Sequence, residues 1–183
     1  DLFKVGIGPS SSHTMGPMVA ANSFIHNTAK FIAINPESEY KITCTLKDSL
    51  AYTGKGHATD RAVTLGINGY LPSTVVDEQM DELIDSIWNS DSVVTGKDKR
   101  CSFSPPTDII FDTKNSLKQN PNGMVFELHN DSNEVVLSET YFSIGGGFIS
   151  TLEEIDNLKA PLDEDGLLAH PFPFKNAQEM LEM

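Results

Sequence analysis

The sequence predicts an α+β fold, with helices packed on one face of a mixed sheet. Helical periodicity dominates the first half of the chain, whereas short strands with alternating side chains dominate the second half from residue 109. The chain has 183 residues, of which 39% are hydrophobic and 21% are charged. That length and composition suit one domain with its own hydrophobic core, or one domain with an appendage.

The first predicted helix begins at Pro17, whose fixed φ suits a first helical turn, and ends at Asn35 and Pro36. Apolar side chains recur behind Pro17 at steps of three and four residues, at Met18, Ala21, Ile25, Ala29 and Ile32. Residues 40–47 then alternate apolar with polar side chains. That alternation predicts a strand with one buried face.

Two shorter helices are predicted next. A turn-like stretch at residues 53–57 leads to Thr59 and Asp60, which are expected to cap a helix over residues 62–67. Asp77 is expected to cap the second helix, whose apolar side chains also recur at helical spacing.

Short strands are predicted around residues 109–111, 124–128 and 135–143, past a loop near Gly96. Residues 130–133 predict a hairpin turn between the last two strands. The chain after residue 149 is acidic and contains proline, which indicates a surface connection up to residue 173. We therefore expect a domain over residues 1–149, followed over residues 150–183 by a linker and the start of a helix.

The charge of the chain argues against several classes of partner. Acidic residues outnumber basic ones by 26 to 13, so the formal net charge is -13. A strongly acidic protein is repelled by nucleic acid and by anionic membrane surfaces. No stretch of 18 apolar residues, no signal-peptide pattern and no closely spaced cysteines are present, and Cys44 and Cys101 are interpreted as structural reduced thiols. We expect a cytoplasmic protein without nucleic-acid or membrane partners.

Three segments carry a resemblance to a known family. They read KVGIGPSSSHTMGPM over residues 4–18, SLAYTGKGHATD over residues 49–60 and YFSIGGGFI over residues 141–149. In this order they resemble the β domain of the iron–sulfur-dependent L-serine dehydratases, also called L-serine ammonia-lyases. The resemblance extends over essentially the whole chain.

The resemblance implies a lyase that converts L-serine to pyruvate and ammonia in serine catabolism and gluconeogenesis. In this family an α domain, on the same or a separate chain, holds a [4Fe–4S] cluster through its cysteines, and the β domain resembles the regulatory substrate-binding domain of phosphoglycerate dehydrogenase. We expect the cluster ligands to lie outside this chain, the chain alone to be inactive and the complete enzyme to form a homodimer.

His57 is the first candidate for the catalytic acid or base, because histidine titrates near neutral pH. The alternative is a loop histidine that binds the backbone. His13 is the second candidate, as a substrate binder or as a partner of the catalytic groups. His26 is expected on the surface, and His129 and His170 are interpreted as structural residues.

A hydroxyl-rich turn precedes the first helix. Helix N-termini and hydroxyl groups can bind a carboxylate, which makes this turn a candidate substrate site. The alternative is that one hydroxyl caps the helix and the others are solvated. By the family's pattern, Asn122 joins the predicted substrate-binding residues, which are Ser10, Ser11, Ser12, Thr14 and Asn122.

Two other features have open interpretations. Lys55 could pair with a carboxylate or be solvated. The three glycines at residues 145–147 allow a close approach, either by a ligand or, as we favour, by the α domain.

The chain also departs from the family at two places. Many members have a histidine where this chain has Asn120, and Tyr-Gly where it has Lys47-Asp48. Asparagine cannot act as a general base, so proton transfer would depend on His57 or His13.

The rival interpretation is a non-catalytic regulatory module that binds serine or another small anion. The low cysteine count suits it equally well.

Overall fold

A computed structural model of the chain describes residues 8–36, 38–75, 80–96 and 99–158. This part of the chain contains six helices and seven strands. The helices are α1 Met15–Ile34, α2 Asp48–Thr53, α3 Thr59–Ile67, α4 Met80–Trp88, α5 Pro105–Asp108 and α6 Leu152–Leu158. The strands are β1 Tyr40–Lys47, β2 Ser92–Thr95, β3 Lys99–Ser102, β4 Ile109–Asp112, β5 Gly123–His129, β6 Val135–Gly145 and β7 Phe148–Thr151.

The strands of the described residues form one mixed sheet. Its order is β2-β3-β1-β5-β6-β7, and β4 also pairs with β1. Strand β1 is parallel to β3 near its start and to β4 near its end, and antiparallel to β5. The remaining neighbours pair antiparallel. This arrangement confirms the predicted α+β class with a mixed sheet.

The core lies between the sheet and helix α1. The apolar residues of β1 are buried, as their alternation predicted, and Phe24 of α1 stacks on Phe126 of β5 with ring centres 5.3 Å apart. Helix α3 packs on α1, and Val63 and Ile67 of α3 join the same core. Helix α1 is therefore buried on more than the single stripe that its periodicity predicted. No helix among these residues has both the length and the apolar character to cross a bilayer.

Several sequence predictions are confirmed. Strand β1 has the predicted bounds, and β4, β5 and β6 lie where strands were predicted. The hairpin at residues 130–133 is present: the amide of Asn133 donates to the carbonyl of Asn130, and Asn133 has a φ of 61°. Asp77, His170 and the helix predicted from residue 174 lie outside the described residues.

Other predictions were wrong. The residue that caps α3 is Ala58, with a φ of 59°, while Thr59 lies inside the helix with its buried hydroxyl unpaired among the described residues. Residues 150–158 are not a surface connection. Strand β7 extends past residue 149, where the domain was predicted to end, and α6 follows it with Ile155 buried. Strands of four residues and helices of four to seven show little periodicity, so β2, β3, β7, α2, α5 and α6 were not predicted, although β4, also four residues long, was.

Candidate functional site

The hydroxyl-rich segment folds as a tight turn at the start of α1. The amide of His13 donates to the carbonyl of Ser10 at 3.1 Å, and the amide of Gly16 donates to the carbonyl of Ser11 at 3.0 Å. Thr14 is fully buried, and its hydroxyl donates to the carbonyl of Ser10 at 2.7 Å. These bonds start α1 at Met15 and turn the His13 side chain toward the next segment.

His13 lies in a ring of hydroxyl groups. Its Nδ1 is 3.0 Å from the hydroxyl of Ser12 and 3.3 Å from that of Ser10. On the other side, Nε2 is 2.9 Å from the hydroxyl of Thr53 and 3.2 Å from that of Ser49. Burial lowers the pKa of His13, nearby His57 lowers it further, and a hydrogen bond with the backbone of Ser49 opposes the shift. The imidazole is therefore neutral at pH 7.

His57 lies against His13, with ring centres 4.7 Å apart. Its Nδ1 is 2.9 Å from the backbone carbonyl of Thr53. A carbonyl oxygen only accepts hydrogen bonds, so Nδ1 carries the proton and donates. Nε2 of the neutral ring then keeps its lone pair, and no described residue occupies it. The ring is half-buried, so this nitrogen is within reach of a small molecule.

Ser49 and Thr53 were missed by the sequence analysis as site residues. They lie four residues apart, at the second position and the last position of α2, and therefore on one face of that helix. Both hydroxyls point to Nε2 of His13. The sequence did contain a sign of their importance, because both residues belong to the second motif segment at residues 49–60. No local pattern, however, connects them to His13.

Ser11 contacts the glycine-rich turn between β6 and β7. The amide of Gly146 donates to the hydroxyl of Ser11 at 3.2 Å. Gly145, Gly146 and Gly147 have φ values of 96°, 61° and 79°, which favour glycine at each place. The turn therefore closes on this chain's own first segment. A contact with another domain remains a prediction.

Asn122 lies beside this cluster. The side-chain amide of Asn122 donates to the backbone carbonyl of Ser143 at 3.4 Å. The backbone carbonyl of Asn122 accepts a hydrogen bond from the backbone amide of Ser143 at 3.0 Å. The neighbouring Pro121 accepts the amide of Ser49 at 2.8 Å, which joins this loop to α2. Asn120, at the place of the family's histidine, accepts the amide of Asn122 at 2.9 Å and so stabilises the turn.

The second departure from the family also has a structural role. The ammonium of Lys47 forms a 2.6 Å salt bridge with Asp112, and this bond is the main reason why the pKa of Asp112 is well below its usual range. Asp48 has a φ of 45°, a left-handed conformation that glycine adopts more easily. Its carboxylate accepts the amide of Leu117 at 2.9 Å, which anchors the following loop.

The other candidate residues lie apart from the histidine pair. Lys55 is exposed, and its ammonium lies 5.3 Å from the centre of the Phe111 ring rather than on a carboxylate. His26 is exposed, as predicted, and its Nδ1 contacts the carbonyl of Asn22 at 2.8 Å. His129 has the structural contact predicted for it, since its Nε2 is 3.0 Å from the hydroxyl of Thr43.

Together, these features define an α+β domain in which two imidazoles lie side by side. They can accept or donate a proton next to hydroxyl groups that can bind a small polar ligand. Residues 1–154 match the family model of the serine dehydratase beta chain, and the chain belongs to that family. The resemblance seen in the three motif segments is thereby confirmed.

Several curated relatives of the chain are named L-serine dehydratases. All of it aligns with the L-serine dehydratases of Helicobacter pylori and Streptomyces coelicolor, at 36% identity over 182 residues and 33% over 183 residues. L-serine dehydratase 1 of Escherichia coli is 35% identical over 181 residues, which is 99% of the chain. The chain spans only 38% to 39% of the length of these relatives.

The described residues do not fit an iron–sulfur cluster. They contain no group of three or more histidine, cysteine or acidic side chains that could hold a metal ion. Cys44 and Cys101 are free thiols buried in β1 and β3, and burial raises the pKa of both. A thiol with a raised pKa stays protonated, whereas a cluster ligand must be a thiolate.

Proposed function

We propose that this chain is the β domain of an L-serine dehydratase, which converts L-serine to pyruvate and ammonia. The observation that carries the proposal is the pair formed by His13 and His57, 4.7 Å apart beside the hydroxyl-rich turn. The names of the relatives, which are L-serine dehydratases, support this choice of substrate and reaction class.

His57 is the general base of the proposed reaction. Loss of water from serine begins with removal of a weakly acidic proton from Cα, which a histidine near neutral pH can accept. The bond from Nδ1 of His57 to the carbonyl of Thr53 fixes the ring and leaves Nε2 as the accepting atom. His13 stays neutral, so the pair does not carry two repelling charges at neutral pH.

The turn before α1 binds and orients the substrate. The hydroxyls of Ser10, Ser11 and Ser12 are half-buried, and the two that do not donate to His13 can donate to the carboxylate of serine. Asn122 lies at the next loop and is the further proposed contact. The hydroxyl of Thr14 is buried and bonded to Ser10, so we now assign Thr14 to the support of the turn.

We further propose that the [4Fe–4S] cluster of the complete enzyme is bound by an α domain outside this chain, whether on the same polypeptide or another. Two observations support this assignment. The chain spans under two fifths of the length of its relatives, and its two cysteines are buried in different strands. The enzyme is proposed to act as a cytoplasmic homodimer, and the two free thiols suit that compartment.

The experiment that tests the base is His57→Ala in the full-length protein that contains this chain. We expect kcat to fall by about 10²–10⁴-fold, the usual contribution of a general base. The matched control is His26→Ala, because His26 also contacts the carbonyl four residues earlier but lies away from the site. A loss below about threefold for His57→Ala would remove this residue from the mechanism.

A regulatory module that binds serine is the second candidate. It is favoured by the fact that the hydroxyl-rich turn lies on this chain whereas no metal-binding group lies among the described residues. The two candidates differ in the His57→Ala variant of the full-length protein. A regulatory site would change the serine concentration needed for half-maximal rate, while the maximal rate would stay as in the parent protein.

A further inference from the structure

We infer that Thr53 is a positioning residue that fixes the tautomers of both His13 and His57. It thereby makes His57 the base, with a free lone pair at Nε2, and makes His13 a hydrogen-bond donor at Nε2. The inference rests on the proposed function for its catalytic meaning. The hydrogen-bond arrangement itself can be tested without any turnover of serine.

The hydroxyl proton of Thr53 is donated to a backbone carbonyl and is not available to His13. Its Oγ1 lies 2.8 Å from the carbonyl oxygen of Ser49, and two oxygens at that distance need a proton between them. The carbonyl of Ser49 has none to give, so the hydroxyl of Thr53 donates to it. The 2.9 Å contact between Oγ1 of Thr53 and Nε2 of His13 therefore requires a proton on Nε2.

The opposite side of the His13 ring agrees with this assignment. With the proton on Nε2, Nδ1 of the neutral ring is an acceptor. This nitrogen has a single lone pair, and one of the two nearby hydroxyls, Ser12 at 3.0 Å or Ser10 at 3.3 Å, can donate to it. Every polar atom of the His13 side chain then has a complementary partner, which suits a residue that is only 9% exposed.

The backbone of the same residue acts on the second histidine. The carbonyl of Thr53 accepts the ring Nδ1 of His57 at 2.9 Å and the amide of His57 at 3.2 Å. A carbonyl oxygen has two lone pairs, so both bonds can form at once. This places the proton of His57 on Nδ1, opposite to the arrangement in His13.

One residue thus gives the two rings opposite roles. His13 presents an N–H at Nε2 to α2, whereas His57 keeps its lone pair at Nε2 for a proton from the substrate. Loss of the Thr53 hydroxyl would allow the hydroxyl of Ser49, 3.2 Å from Nε2 of His13, to donate there and so favour the other tautomer of His13.

The test is NMR of the full-length protein containing ¹⁵N-labelled histidine, in the parent protein and in Thr53→Val and Thr53→Ser. Valine keeps the shape and the backbone carbonyl of threonine but lacks the hydroxyl, and Thr53 is exposed, so the fold should tolerate it. His13→Gln and His57→Gln assign the signals. We expect His13 protonated at Nε2 and His57 at Nδ1 in the parent protein.

In Thr53→Val we expect the signals of His13 to move toward the other tautomer, while those of His57 stay as they are. Thr53→Ser should restore the parent spectrum. For activity, we expect Thr53→Val to lower kcat by about tenfold with KM nearly unchanged, a loss typical of an orienting partner. Thr53→Ser should recover most of that loss.

The matched control is Thr64→Val. The hydroxyl of Thr64 also donates to the carbonyl four residues earlier, at 2.8 Å, but it contacts no histidine. Its variant should leave both histidine spectra unchanged. A parent protein with His13 protonated at Nδ1, or a Thr53→Val variant whose His13 signals do not move, would overturn the inference. Failure of the proposed function would instead be seen as no release of pyruvate from serine by the parent full-length protein, whatever the histidine spectra show.

Discussion

His13 and His57 are neighbours with unequal environments. The side chain of His13 is enclosed by four hydroxyls, whereas that of His57 is half-buried and keeps one nitrogen open. Burial favours the neutral form of an imidazole, and a second imidazole nearby adds to the effect whenever it is charged. The different roles proposed for the two rings therefore follow from their positions and not from their chemistry.

The lowered pKa of His13 predicts how stability depends on pH. In the unfolded chain His13 titrates near its ordinary pKa of 6.5, and in the folded chain it titrates lower. Above pH 6.5 neither state binds the proton; below it the unfolded state binds more, so stability falls as pH falls through the folded pKa.

We expect the parent protein to lose more free energy of unfolding between pH 7.5 and 5.5 than His13→Gln, which lacks this titration. Urea unfolding of both proteins at the two pH values measures the difference. His26→Gln, which removes an exposed histidine, should instead follow the parent protein. Equal losses in His13→Gln and the parent would contradict the prediction.

At the scale of elements, helix α1 positions the site because it is held from two sides. Helix α1 contacts both the sheet and α3, so the turn before it is attached to an element with two neighbours. The contact between α1 and α3 depends on Gly66, where an added Cβ would lie 2.3 Å from the backbone oxygen of Met18 and 2.6 Å from Cβ of Ala21.

Gly66→Ala sets two effects against each other. Alanine favours a helix over glycine by about 1 kcal/mol, but a Cβ this close to backbone must push α3 away from α1. We expect a net loss of about 1–3 kcal/mol in the free energy of unfolding, because the oxygen of Met18 cannot move aside.

Chemical denaturation measures the change, with Gly56→Ala as control. An added Cβ at Gly56 would have its nearest neighbour at 3.5 Å, an ordinary contact, so that variant should unfold close to the parent protein. A Gly66→Ala protein as stable as Gly56→Ala would show that the two helices can separate at no cost.

At the scale of the whole molecule, the proposed acid–base and binding groups lie on this chain, whereas its described residues contain no group that could hold a metal ion. We expect residues 1–183 alone to show no iron–sulfur absorption after anaerobic reconstitution and no dehydration of serine, because the two thiols are buried and protonated. The full-length protein treated in the same way should show both.

Visible absorption and pyruvate release measure the two properties. Circular dichroism of residues 1–183 must first show folded structure, so that inactivity is not a consequence of unfolding. Pyruvate release by the folded chain alone would contradict the assignment of the cluster to another domain.

The sequence by itself determined the strongly periodic elements: α1, β1 and the β5–β6 hairpin. Its motif segments also identified the family and placed the two histidines among the candidate residues. These features are local, since a period of 3.6 or 2 residues is complete within one element.

Only the tertiary structure decided which side chains surround His13 and how β1 is paired. Ser49 and Thr53 lie 36 and 40 residues from His13 in the chain, and the parallel partners of β1 come more than fifty residues later. No local pattern carries that information, because strand register and hydroxyl contacts arise only when separate elements pack. The roles of Thr53, and the burial that keeps His13 neutral, therefore follow from packing and not from spacing.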